Sequence, residues 1–204
     1  MQLMPRFRIR ISNLLMGMLC IAILLSWYRD RQLLHAQFDA VVNPKPSWGN
    51  CQAEGPPDTP KAGDIPTAWA SQTPDGQTEW LVADYQIPIH PKAIEVHETY
   101  NPGAVTRISG LDGNGNETTL WEGTETIPAG ASRNVSIFTI HTKKRFRRYK
   151  ICIDSPNFPG WNEIDAIGVR TKRGTKWASR VTSSSSYGAA RVVSPFRFTG
   201  NGIF

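Results

Sequence analysis

Between Glu79 and Trp121 the chain alternates apolar and polar residues in short runs broken by turn formers, and this pattern confines it to β-structure. Leu81, Ala83 and Tyr85 oppose Trp80, Val82 and Asp84, and Ile94 and Val96 alternate with Glu95 and His97. Val105 then leads through Arg107 and Ile108 toward Leu111. Runs rich in β-branched and aromatic residues follow at 135–140, 146–153 and 164–169, bounded by Gly, Pro and Asn. Such residues suit a pleated, half-buried surface. No window of a dozen residues after Tyr28 carries a convincing helical period. Roughly seven or eight short strands over about 120 residues predict an all-β sandwich.

The N-terminal thirty residues follow different rules. Arg6, Arg8 and Arg10 precede an apolar run, and from Ile11 to Tyr28 eighteen residues pass without a charge. As a helix that segment is roughly 27 Å long, against a hydrocarbon core of about 30 Å. Trp27 and Tyr28 stand at its far end, where interfacial aromatics belong. A cleaved signal peptide and an uncleaved signal-anchor both start this way. The small-x-small cleavage pattern is missing after the run, where Trp27-Tyr28-Arg29-Asp30-Arg31 follows, and this favours the anchor. The expected layout is a basic cytoplasmic N-terminus (1–10), a transmembrane anchor (11–28), a polar stalk (29–47), a domain (48–170) and a basic, Ser-rich tail (171–204). The domain is expected outside the cytoplasmic membrane, with the arginine-rich end inside.

Charge is unevenly spread. Residues 1–31 hold five arginines against Asp30, and 170–204 hold seven Lys or Arg and no acid. The middle, 32–169, holds eleven basic against sixteen acidic residues, so a basic total is weak evidence for nucleic acid and none is expected as partner. Of three cysteines, Cys20 lies in the apolar run as a small hydrophobe. Cys51 and Cys152 either pair or stay as two separate buried thiols. A bridge would close a loop of about 100 residues, a contribution of about 4–5 kcal/mol in the chain-entropy model. No C-x-x-C motif supports a zinc ribbon or a redox site.

Within this frame the residues resemble a known family. Ala68-Trp69-Ala70-Ser71-Gln72 followed by Glu79-Trp80-Leu81, the phrase Val96-His97-Glu98-Thr99-Tyr100-Asn101-Pro102-Gly103-Ala104-Val105, Leu120-Trp121, and Glu163-Ile164-Asp165-Ala166-Ile167 occur in order. Together they are similar to galactose-binding-like domains of the discoidin (coagulation factor 5/8 type C) superfamily, in the version found beside leucine-rich repeats in some F-box proteins. The N-terminal anchor departs from those soluble proteins and resembles bacterial ones, so the ubiquitin-related role is not carried over. The resemblance covers roughly 48–170. It implies a jelly-roll sandwich of about eight antiparallel strands that binds sugars, lipids or proteins through loops at one end. It also implies a structural Ca²⁺ between the opening loop, with Asp58, Asp64 and Thr67, and Glu163 before the closing strand. Oxygen donors from distant segments suit such a hard cation, although the same acids also serve as turn caps.

The chemistry-bearing motifs thin out on inspection. Asp112-Gly113-Asn114-Gly115-Asn116 opens like an EF-hand loop but continues with Glu117 and Gly123 where that loop needs glycine and glutamate, so a hairpin loop is expected. Lys143 to Lys150 interleaves six cations with Phe146 and Tyr149, a pattern open to a nucleic-acid stripe or a site for anionic polymer or lipid headgroups, with a strand whose apolar side points inward as the favoured reading. His35, His90, His97 and His141 lack ligand spacing, and no G-x-S-x-G elbow exists. Glu95 and Glu98 fall on opposite faces of one strand, a poor arrangement for a glycosidase pair. Trp161, in the loop with Phe158 and Asn162, is the expected ligand platform. The expectation is a non-catalytic, membrane-anchored binding module for carbohydrate or a cell-envelope protein. The alternatives are a permanently docked structural protein and, last, a hydrolase.

Overall fold

The computed structural model describes residues 11–42 and 45–188, with side-chain surroundings given for 16–34 and 45–188. The chain divides after Pro44 into two compact units. The basic N-terminus 1–10 and the last residues of the tail, 189–204, lie outside the described residues.

The first unit is one helix, α1 (Ile11–Val42). It runs on through 29–42, so the stretch expected as a polar stalk is helical nearly to Pro44. Its large apolar side chains from Met16 to Leu34 are more than half exposed, Leu24 62% and Leu34 66% among them. Among the described residues no helix is long and apolar enough to cross a membrane. The expected eighteen-residue span begins at Ile11, ahead of the first side chain whose surroundings are given, and so lies partly outside the described set.

The second unit, as far as it is described, is an antiparallel β-sandwich of ten strands: β1 (Trp69–Ala70), β2 (Glu79–Ile89), β3 (Ala93–Tyr100), β4 (Val105–Leu111), β5 (Glu117–Glu122), β6 (Asn134–Thr139), β7 (Phe146–Ile153), β8 (Glu163–Thr171), β9 (Gly174–Trp177) and β10 (Arg180–Ser183). One sheet runs β1-β8-β3-β6, with β9 also paired to β8, and the other runs β10-β2-β7-β4-β5. Alternation decides which side chains meet between the sheets. Leu81, Ala83 and Tyr85 of β2, Ile94 and Val96 of β3, Ile151 and Ile153 of β7 and Ile167 and Val169 of β8 are all buried there. Tyr85 crosses the layer to donate its hydroxyl to the Ile167 carbonyl at 3.1 Å, which satisfies the one polar atom it brings into the core.

Two expectations need correction. Among the described residues there are ten strands rather than about eight, and the boundary at 170 cuts β8. Beyond it β9 folds back on β8, and β10 adds to the edge of β2 with Arg180 opposite Asp84 and Ser183 opposite Leu81. The tail therefore belongs to the sandwich as far as it is described. Ser184 and Ser185 continue this docking by donating to the buried Glu79 carboxylate, Ser185 at 2.6 Å. Separately, Cys51 and Cys152 form no bridge. Cys152 alternates with the core residues Ile151 and Ile153, so it points to the outer face of its sheet, where it accepts Arg107 Nη2 at 3.6 Å. Cys51 is buried in the 3-10 turn Asn50–Ala53.

Candidate functional site

At the start of β8 three aromatic rings and two carboxyl groups surround a small cleft. Its walls are Trp48, Trp161 and Tyr187, its carboxyls Asp64 and Glu163, and its volume is about 100 Å³. Three distant segments meet here. Trp161 ends a loop that turns at Gly160, whose φ of +103° only glycine adopts easily. Its indole donates to the Ser71 carbonyl at 3.1 Å, which fixes the plane of the ring. Trp48 sits at φ +52°, a left-handed conformation rare for a bulky residue. It is held by four bonds: its amide donates to Pro66 O, its carbonyl accepts the Ala70 amide and Ser186 Oγ, and its indole donates to Asp64 Oδ1 at 2.8 Å. Tyr187 closes the third side, edge-on to Trp48 at 5.6 Å and to Trp161 at 6.1 Å, and remains 59% exposed.

Glu163 forms the floor at 1% exposure and accepts the Ile65 amide at 3.2 Å. Burial pushes its carboxyl up to about 8, and a hydrogen bond and charge from Asp64 push the same way. The shift favours the protonated form of Glu163 near neutral pH. The cleft offers flat apolar rings on three sides, one protonated carboxyl below and Asp64 at the exposed rim.

The structure sorts the expected site residues sharply. Trp161 lines the cleft. Phe158 packs against the core instead. Asn162, 4% exposed, staples the loop by donating to Asn101 O at 2.8 Å and accepting Ser155 Oγ at 3.0 Å. Asp64 and Glu163, expected as calcium ligands, are in the cleft, while Asp58 and Thr67 belong to a different cluster. There Thr59 donates to Asp165 Oδ1 at 2.8 Å and shares a bond with Thr67 Oγ1 at 2.8 Å, and the Asp58 and Thr59 amides also donate to Asp165 Oδ1. The other oxygen, Asp165 Oδ2, is buried without a partner. Two features do not fit the proposed ion. The donor set is split between two places, and the Asp165 oxygen in use already faces N–H and O–H donors, which repel a cation. Among the described residues no three His, Cys, Asp or Glu come together to hold a metal.

Other motifs keep their structural readings. Asp112 Oδ1 accepts the amides of Asn114 and Asn116 inside the β4–β5 hairpin, and these bonds, led by the Asn116 side chain, lower its pKa. In the basic strand Phe146 and Tyr149 point inward while Arg147 pairs with Asp84 and Lys150 with Glu117. Both rings are buried in the core although they lie three positions apart on β7. His97 packs edge-on against Trp177 at 5.4 Å, beside the buried Glu95. Tyr187 and Trp48 are the wall residues that sequence reasoning missed. Neither lies in a periodic segment, and no local signal marks them.

Residues 32–180 match the family model described as Pappalysin-1, SD scarf domain, C-terminal. The match takes in β1 to β9, passes the expected boundary at 170, and names a different family from the discoidin type. The antiparallel β-sandwich is compatible with a galactose-binding-like fold. Among curated proteins, none matches the chain.

Proposed function

The chain belongs to the Pappalysin-1 SD scarf (C-terminal) family, and from that premise we propose that it is a non-catalytic binding module whose cleft takes the edge of a sugar. The carrying observation is the pairing of three aromatic walls with two carboxyls in one concave site. Pyranose rings stack their C–H faces on indole, and their hydroxyls need both acceptors and donors. The Asp64 carboxylate accepts and the protonated Glu163 donates. A hydrolytic pair would need two carboxyl groups about 5–10 Å apart, flanking the bond. Asp64 and Glu163 line one cleft of only about 100 Å³, which is narrow for a sugar bond flanked from both sides. The jelly-roll and galactose-binding-like reading belongs to the same proposal and is supported by the two all-antiparallel sheets.

The proposal keeps the anchor. An uncharged run from Ile11 to Tyr28 and the exposed apolar surface of α1 support a membrane helix, with the sandwich held outside the cytoplasm. Docking on a cell-envelope protein is the second reading. It draws on edge strand β6, where Val135 is 39% and Ile137 51% exposed and one side of the strand has no neighbour among the described residues.

A glycan array probed with the compact unit 45–204 tests the sugar reading. We expect binding to a neutral glycan that Trp161→Ala weakens at least about tenfold, in line with the loss of a stacking surface. If no glycan binds while an envelope protein co-purifies stoichiometrically, the sugar reading fails.

A further inference from the structure

At the far end of β8 from the cleft lies a larger groove of about 850 Å³. Its cations come from four places: Lys92 just before β3, Arg145 just before β7, Lys172 and Arg173 in the β8–β9 turn, and Lys176 on β9. No acid is among its lining residues. All five cations are exposed, and none is in an ion pair among the described residues. The neighbouring cations behave differently: Arg147, Lys150 and Arg170 each have a carboxylate partner. Asp84 and Glu95, the acids on the adjoining strands, are taken up by Arg147 and Arg170. With no acid among its lining residues, the groove presents a local positive field.

The surrounding backbone is built to hold this arrangement. The β8–β9 turn is fixed by Thr171 Oγ1, which donates to Gly174 O at 2.8 Å and accepts the Arg173 amide at 3.0 Å. Lys92 is tied through its amide to Arg170 O and through its carbonyl to the Ile140 amide. Between the cations runs an apolar strip, Ile87 (67% exposed) and Pro88, presented where β2 leaves its register with β7.

We infer that this groove binds an acidic polysaccharide, a sugar chain carrying sulfate or carboxylate groups. Cations from four separate elements address charges spread along a ligand rather than one phosphate. The exposed Ile87–Pro88 strip suits the C–H faces of sugar rings between the anionic groups. Single-stranded nucleic acid fits less well because bases need open aromatic faces. Here Tyr85 is buried and Trp177 is engaged edge-on with His97. The inference does not rest on the aromatic cleft, and the two sites are separable by mutation.

The test uses the full chain in neutral detergent micelles, with heparin and polygalacturonate as sulfated and carboxylated probes. Dextran, oligo-dT and vesicles containing phosphatidylglycerol serve as comparisons. We expect heparin or polygalacturonate to bind, dextran not to compete, and affinity to fall steeply between about 50 and 500 mM salt. Combined Lys172→Glu, Arg173→Glu and Lys176→Glu should weaken binding at low salt by about 100-fold, while Trp161→Ala leaves it unchanged. Lys172→Glu alone, in an exposed turn, guards against misfolding and should still weaken binding several-fold. Polyanion binding that the reversals do not change overturns the site, as does absence of binding by the native chain. Tighter binding to oligo-dT or to the vesicles overturns the choice of a polysaccharide.

Discussion

The two ends of β8 present opposite chemistry on one scaffold. At Glu163 the strand begins in a narrow cleft of rings and carboxyls, and at Thr171 it ends in a wide groove of unpaired cations. The strand that joins them is nine residues long, roughly 27 Å of extended chain. The cleft is tightly held: Trp48 is bonded through its amide, carbonyl and indole, the Trp161 indole is bonded to Ser71 O, and the buried Glu163 carboxyl accepts the Ile65 amide. The groove is assembled from turns and strand ends whose charges were left without partners. Preorganisation at one end and an open field at the other suit a small, shape-defined contact and an extended anionic one respectively. The rigid strand between them holds both while letting each be altered alone.

Three perturbations sharpen that contrast. The largest effect is expected at the cleft end. Glu79, 1% exposed, receives Ser184, Ser185 and Gln77, and so seats the segment that carries Tyr187. Glu79→Ala should lower stability by about 2–4 kcal/mol, as read by urea denaturation, and should reduce any cleft ligand binding while polyanion binding persists in the folded protein. If both sites fail together, the ends are not independent.

Next comes the groove end. A Cβ at Gly168 would lie 2.6 Å from Thr175 Cγ2 and 2.9 Å from Trp177 Cζ3, so it would push β9 away from the sheet. Gly168→Ala should lower stability by about 1–3 kcal/mol. It should weaken polyanion binding but not the neutral-glycan contact, by calorimetry of each.

The smallest effect is in pH dependence. Glu163 is held near 8 in the fold against 4.5 as its ordinary value. A raised carboxyl binds a proton that the unfolded chain releases, so its contribution is complete below about 4.5 and is lost as pH rises through about 8. Melting temperature should therefore fall from pH 5 to pH 9, a range set by that shift. Glu163→Gln should flatten part of the slope. The remainder has the same sign and belongs largely to Glu125, which burial and its neighbour Glu98 raise to about 9. An unchanged slope in the variant would remove the proton assigned to the cleft floor.

Legibility followed the range of the interactions. β2, β3, β4, β7 and β8 were readable because alternation is a local property: each inward residue is set by its own neighbours two positions away. The hairpin at Asp112 was readable for the same reason. β9 and β10 were not, since each is four residues long and earns its pairing from β8 and β2 rather than from its own pattern. The Ser183–Ser186 run looked like tail composition, yet its hydroxyls dock on Glu79 and Trp48 from more than 100 positions away. In the site, Trp161, Asp64 and Glu163 were each singled out, though for two different ligands. Nothing in their spacing said that they share one cleft.

The amino-acid sequence by itself determined an antiparallel β-domain, the inward set of its long strands, the uncharged N-terminal run and the absence of familiar catalytic motifs. These depend on periodicity and composition, which act over a few residues. The tertiary structure alone decided that the calcium set divides, that Cys51 and Cys152 stay unbridged, and that Tyr187 completes a cleft. It also decided that five cations from four elements converge with no acid among them. Each of these rests on which strand lies beside which, and pairing between distant strands is settled by the packing of the whole core.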